Sequence, residues 1–114
     1  MKKRENNLIT VVILSANEAD VISRAISSGL LLTNNIIVID SFSTDDTVKI
    51  AKRMRAKVIS HKLKDFADQR NFAREQVKTS WVFYLDSDEE MTQELVDEID
   101  NLIGQDTIDR GGYY

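Results

Sequence analysis

The chain has 114 residues, 42% of them apolar and 30% charged, with a formal net charge of −4 and neither cysteine nor proline. This is the composition of one globular domain large enough to bury a core. It excludes a disulfide framework, a thiol nucleophile and the basic field that a nucleic-acid partner requires.

Met1-Lys-Lys-Arg4 leads into Glu5-Asn-Asn7 rather than into an apolar stretch, so no signal peptide is expected. No apolar run approaches the roughly eighteen residues of a membrane span. The expectation is a cytoplasmic protein whose basic lead, residues 1–7, is its contact with the inner face of a membrane.

Leu8-Ile-Thr-Val-Val-Ile-Leu14 is a β-branched run of strand length that stops at Ser15-Ala-Asn-Glu18. From Asp20 the period becomes helical, with Ile22, Ala25, Ile26 and Leu30 on one face and Gly29 on the same stripe, suited to close packing. After the break at Thr33-Asn-Asn35, Asn35 to Ile39 reads as a second buried strand ending in Asp40. In Ser41 to Asp46, Ser43 and Asp46 have capping-box spacing ahead of a helix bearing Val48, Ala51 and Met54. Lys57 to Ser60 is a short third strand, and Asp65 to Val77 a third helix whose pitch is set by Phe66, Gln69, Phe72 and Ala73. Trp81 to Leu85 is the fourth strand. Thr92 opens a last helix with Leu95, Val96, Ile99, Leu102 and Ile103 inward and Gly104 as its stop. Residues 8–104 thus form one α/β domain, and 105–114 a tail with no clear period. Strand and helix alternate four times, which predicts a Rossmann-like parallel sheet with helices on both faces and right-handed crossovers.

Such a sheet binds ligands beyond the carboxyl ends of its strands, and three candidate loops end there. Asp86-Ser-Asp88 follows five unbroken apolar residues. In extended backbone, residues i and i+2 face one way, so the two carboxylates converge, and a hard cation, Mg²⁺ or Mn²⁺, relieves their repulsion. A plain polar turn has the same composition. Counted as an EF-hand from Asp86, the loop has Met91 and Asp97 where Gly and Glu belong. As a phosphatase motif it has Glu90 where Thr or Val belongs. The first loop lacks glycine, so it is neither a P-loop nor a dinucleotide fingerprint. Asp40 is placed either to accept hydrogen bonds from a ribose or base or to cap its own loop. Arg70, near a helix start, suits a phosphate or a surface ion pair with Asp68 or Glu75. His61 reads as a loop residue.

Five blocks resemble the nucleotide-sugar-binding half of a family 2 glycosyltransferase with the GT-A fold. They are Thr10 to Glu18, Ile36 to Thr47, Ala56 to Ile59, Phe66 to Ala73 and Trp81 to Glu89, in family order. Gln69-Arg-Asn-Phe-Ala73 is most similar to the lipopolysaccharide core subgroup. The resemblance implies transfer of a hexose, with inversion, from a nucleotide-diphosphate sugar to a glycan or lipid-linked acceptor. Ser15, Ala16, Asn17 and Glu18 are then expected to line the nucleotide pocket, Asp40 to bond the base, and Arg70 to face the base or diphosphate. Asp86 is expected to contact ribose or sugar, and Asp88 to coordinate the metal. Two positions depart from the family: Phe42 stands where Gly is frequent, and Ala16 where a larger side chain is usual. In the family the general base comes from a second half, with the acceptor site. It is therefore expected outside this chain, which reads as a fragment inactive by itself. The alternative is a non-catalytic half-domain that dimerises, or pairs with a partner, through the open edge of the fourth strand.

Overall fold

The structure, a computed structural model, describes residues 8–106. Eight elements alternate along the chain: β1 (Ile9–Ser15), α1 (Ile22–Gly29), β2 (Ile36–Asp40), α2 (Thr47–Arg53), β3 (Lys57–Ser60), α3 (Phe66–Gln76), β4 (Trp81–Asp86) and α4 (Gln93–Asp106). The four strands form one parallel sheet in the order β3-β2-β1-β4. The chain winds outward from β1 through β2 to β3, then returns to place β4 on the other side of β1. That reversal is the topological switch point at which doubly wound sheets open a crevice.

Side-chain parity divides the core. Ile9, Val11 and Ile13 of β1, with Ile36 and Val38 of β2 and Trp81 and Leu85 of β4, pack with Ile22, Ala25, Ile26, Ala51, Val96, Ile99 and Ile103. Helices α1, α2 and α4 therefore cover one face. Val12, Ile37, Ile39 and Val82 point the other way, to Ala73 and Phe72 of α3. Burial on both faces is why β1 and β2 read as unbroken apolar runs. Gly29 sits where α1 crosses the sheet; a Cβ there would lie 3.0 Å from Ile36 Cδ1 and 3.3 Å from Val11 Cγ1. The close approach expected of it is present.

Several local expectations are corrected. Ser43 does not form a capping box with Asp46: its hydroxyl is bonded to Asp40, and the Asp46 side chain caps nothing. The Asp45 carboxylate instead receives the Thr47 N–H at the start of α2. Gly104 does not stop α4, which runs to Asp106, because a glycine inside a helix only weakens it. Leu102 is 37% exposed rather than inward. Phe66, at the first position of α3, is 66% exposed, whereas Gln69 and Ala73 are buried. The helix start itself is where the sequence puts it: the Asp65 side chain accepts the Asp68 N–H at 2.7 Å. The lead 1–7 and tail residues 107–114 lie outside the described residues.

Candidate active site

The loops after β1 and β2 are zipped together. Asn17 adopts a left-handed backbone (φ 54), which asparagine tolerates. Its N–H donates to Ser43 Oγ at 2.7 Å, and its Oδ1 accepts the Thr44 N–H at 2.8 Å. The Glu18 N–H donates to Thr47 Oγ1 at 2.9 Å, and the Ala19 N–H to Asp45 Oδ2 at 3.1 Å. The Asp45 carboxyl is held below its ordinary value, first by the Thr47 hydroxyl, then by the N–H groups of Thr47 and Ala19. Position 17 thus fastens two loops.

Ser15 and Asp40 are register partners at the ends of β1 and β2, so their side chains emerge side by side. Ser15 Oγ donates to Asp40 Oδ1 at 2.8 Å; Ser43 adds its hydroxyl at 2.6 Å and its N–H, to Oδ2, at 2.8 Å. Asp40 is fully buried. It follows Ile36 and Val38 in parity and so lies on the face of α1 and α2. In this state it caps its own loop, the second of the two roles open to it in the sequence.

The opposite parity opens a cleft. Asp86 follows Val82 and Tyr84 on the α3 side. The strand ends there, and Ser87 and Asp88 form a turn closed by the Glu89 N–H on Asp86 O (2.9 Å) and the Asp86 N–H on Glu89 Oε1 (3.0 Å). Asp86 and Asp88 are therefore not two teeth of one extended segment. The turn, with Ser87 buried beneath it, still brings both to the wall of one cleft of about 260 Å³. Ser15, Ala16 and Glu18 from the β1 loop line it, and across from the carboxylates stand Leu63, Phe66 and Gln69. Of the residues expected in the site, Ser15, Ala16, Glu18, Asp86 and Asp88 come together. Asn17, Asp40 and Arg70 are not among those lining it. Arg70 is exposed, its guanidinium 5.6 Å from the Tyr84 ring centroid.

Leu63, Phe66, Gln69 and Ser87 are lining residues that the sequence did not single out. The available signal was two apolar side chains flanking a helix start, in a connection that returns to the binding edge of the sheet. His61 serves the structure. Its ring stacks on Phe72 at 3.7 Å, and its Nδ1 pairs with Gln69 Oε1 at 2.7 Å. It anchors the cleft residue Gln69, itself 1% exposed.

Glu18, Asp86 and Asp88 make the cleft acidic, and no lysine or arginine lines it among the described residues. Those residues contain no group of three or more acidic, His or Cys side chains able to hold a metal unaided. Two carboxylates at one cleft do fit Mg²⁺ or Mn²⁺ held jointly with substrate phosphate oxygens, the usual mode for such ions.

The sequence profile described as Glycosyl transferase family 2 matches residues 10–108. The chain belongs to that family. An uncharacterised glycosyltransferase of Rickettsia conorii is 38% identical over 110 residues, which cover 96% of this chain and 39% of that protein. The prophage-derived glycosyltransferase SunS of Bacillus subtilis is 36% identical over 90 residues, 76% of this chain and 21% of SunS. Among solved structures, S. aureus TarS residues 1–349 superimpose with a TM-score of 0.73 at 22% identity, covering 87% of this chain and 33% of that one. Glucosyl-3-phosphoglycerate synthase from Mycobacterium tuberculosis, in complex with Mn²⁺, UDP and glucosyl-3-phosphoglycerate, superimposes with a TM-score of 0.60 at 27% identity, covering 86% and 39%. The fold is that of the GT-A glycosyltransferases, and the chain spans 35% to 39% of the length of two Rickettsia relatives.

Proposed function

We propose that this chain is the donor-binding half of a hexosyltransferase, taking a nucleotide-diphosphate sugar into the cleft between the ends of β1 and β4. The observation that carries the reading is the meeting of Asp86 and Asp88 with Ser15, Ala16 and Glu18 in one cleft at the switch point. Asp88, at the exposed tip of its turn, would hold Mg²⁺ or Mn²⁺, and Asp86 would contact ribose or sugar. The bound ion supplies Lewis-acid neutralisation of the departing nucleoside diphosphate. The mycobacterial synthase holding Mn²⁺ and UDP supports this donor chemistry. At about 260 Å³ the cleft is just below the usual range for small-molecule pockets. It suits a nucleoside.

The acceptor site and the general base of an inverting displacement are not assigned to this chain, which spans 35% to 39% of the length of two Rickettsia relatives. The acceptor is a glycan or lipid-linked saccharide, with lipopolysaccharide core the first candidate from the Gln69 to Ala73 block. No helix among the described residues is long and apolar enough to cross a membrane. The basic lead Lys2-Lys-Arg4 is the proposed contact with the inner leaflet. A second reading, a half-domain that dimerises or binds a partner, draws on the position of β4 at one edge of the sheet; a monomer in sedimentation with no partner recovered in pull-down would remove it.

UDP-glucose with Mn²⁺ is expected to raise the melting temperature. Saturation at a hundred times Kd adds about 2.7 kcal/mol, or several degrees for a domain of this size. Asp88→Ala should abolish the shift and leave the ligand-free melt unchanged, because Asp88 is exposed. If calorimetry finds no binding of any sugar nucleotide with either ion, the reading fails.

A further inference from the structure

The cleft is chemically lopsided. Its carboxylates stand at the β4 side, whereas the opposite wall, beyond the end of β2, carries two exposed apolar side chains, Leu63 (40%) and Phe66 (66%). A phenyl ring this exposed forfeits the burial, about 1.5–3 kcal/mol, that a core position would give it, and a ligand packed on it in the cleft would recover part of that burial. The Leu63 N–H is pinned to Ser41 Oγ at 3.1 Å, and Phe66 is the first residue of a helix capped by Asp65. The wall is therefore held by backbone rather than left to a loose loop.

The other aromatic rings among the described residues do not line the cleft, including Phe42, which is 62% exposed in the loop after β2. Phe72 is stacked on His61, Tyr84 carries Arg70, Trp81 is buried at the far end of β4, and Ala16 at the β1 end offers no ring. Phe66 is the aromatic side chain that lines the cleft among the described residues.

Resting on the donor-binding reading above, we propose that Phe66, with Leu63 beside it, is the platform on which the nucleobase of the donor stacks. The ligand then lies across the strand ends with its flat apolar-faced base at the α3 wall, its ribose or sugar toward Asp86 and its diphosphate toward Asp88, where a divalent ion would offset the like charges. Stacking tolerates any base because each has a π-face; Phe66 therefore sets affinity for the nucleoside more than choice among bases.

The test compares UDP and pyrophosphate, each with Mn²⁺, by titration calorimetry on the 114-residue chain. Phe66→Ala should weaken UDP about five- to a hundredfold, the range of single base–aromatic contacts, and leave pyrophosphate unchanged. Phe66→Trp should retain or tighten UDP binding. If Phe66→Ala binds UDP as the parent does, or loses UDP and pyrophosphate equally, the platform assignment is overturned while the donor site stands. Failure of the parent chain to bind UDP at all would overturn the donor reading and this one with it.

Discussion

Asp40 offers a measurement in which hydrogen-bond pattern and charge give different answers. Its buried carboxylate accepts from Ser15 Oγ at 2.8 Å, Ser43 Oγ at 2.6 Å and the Ser43 N–H at 2.8 Å. Asp40→Ala strands the Ser15 hydroxyl, only 5% exposed, and frees the half-buried Ser43 loop from the strand end. Each group left without a partner costs about 1–3 kcal/mol, offset in part because a buried carboxylate is also removed. A net loss of about 2–4 kcal/mol follows, or a fall in melting temperature of about 10–20 °C. Asp40→Asn keeps the shape. One amide oxygen can take the Ser43 N–H, while the amide NH₂ faces two hydroxyls free to turn and accept. Its cost should stay below about 1 kcal/mol. Chemical denaturation of both variants decides the matter. If Asn is as damaging as Ala, the negative charge rather than the bonding pattern holds the loop. If Ala costs less than about 1 kcal/mol, the network does not support the fold at all.

Gly29→Ala gains helix propensity of up to about 1 kcal/mol but forces a methyl against Ile36 and Val11, where overpacking costs about 1–3 kcal/mol; a lower denaturation midpoint is expected, and a higher one would mean Ile36 yields freely. Because Asp45 is depressed from 3.8 in the folded state, the stability it adds is present above the ordinary carboxylate range and is lost as pH falls through its folded value. Melts taken from about pH 5 downward should therefore converge with those of Asp45→Asn, and parallel curves would refute the linkage. His61→Ala removes the ring stacked on Phe72 and the partner of Gln69 Oε1, which should cost about 1–3 kcal/mol and weaken UDP binding through the displaced Gln69; unchanged affinity would confine His61 to stability.

What could be read in advance was what depends on near neighbours in the chain. β1 and β2 were legible because both their faces are buried, leaving no polar residue to interrupt Val11 to Leu14 or Ile36 to Ile39. The start of α3 was legible because Asp65 caps a backbone N–H only three residues away. The site resisted where its geometry is set across the sheet. Asp40 and Asp86 both end apolar strands, and nothing local tells that the first turns toward α1 and α2 and the second toward α3. That follows from which residue pairs with which, Ser15 with Asp40 and Leu14 with Asp86. Ser43 looked like a helix cap because its spacing to Asp46 is right, but its hydroxyl donates to the buried Asp40 carboxylate at 2.6 Å and accepts the Asn17 N–H at 2.7 Å instead of one from α2. Phe66 looked like a core residue because period alone cannot say whether the first turn of a helix still overlaps the sheet. Here it overhangs the strand ends. The same overhang removes Phe66 from the core and places its ring in the cleft, so the least predictable residue of α3 is the one with the most direct access to a ligand.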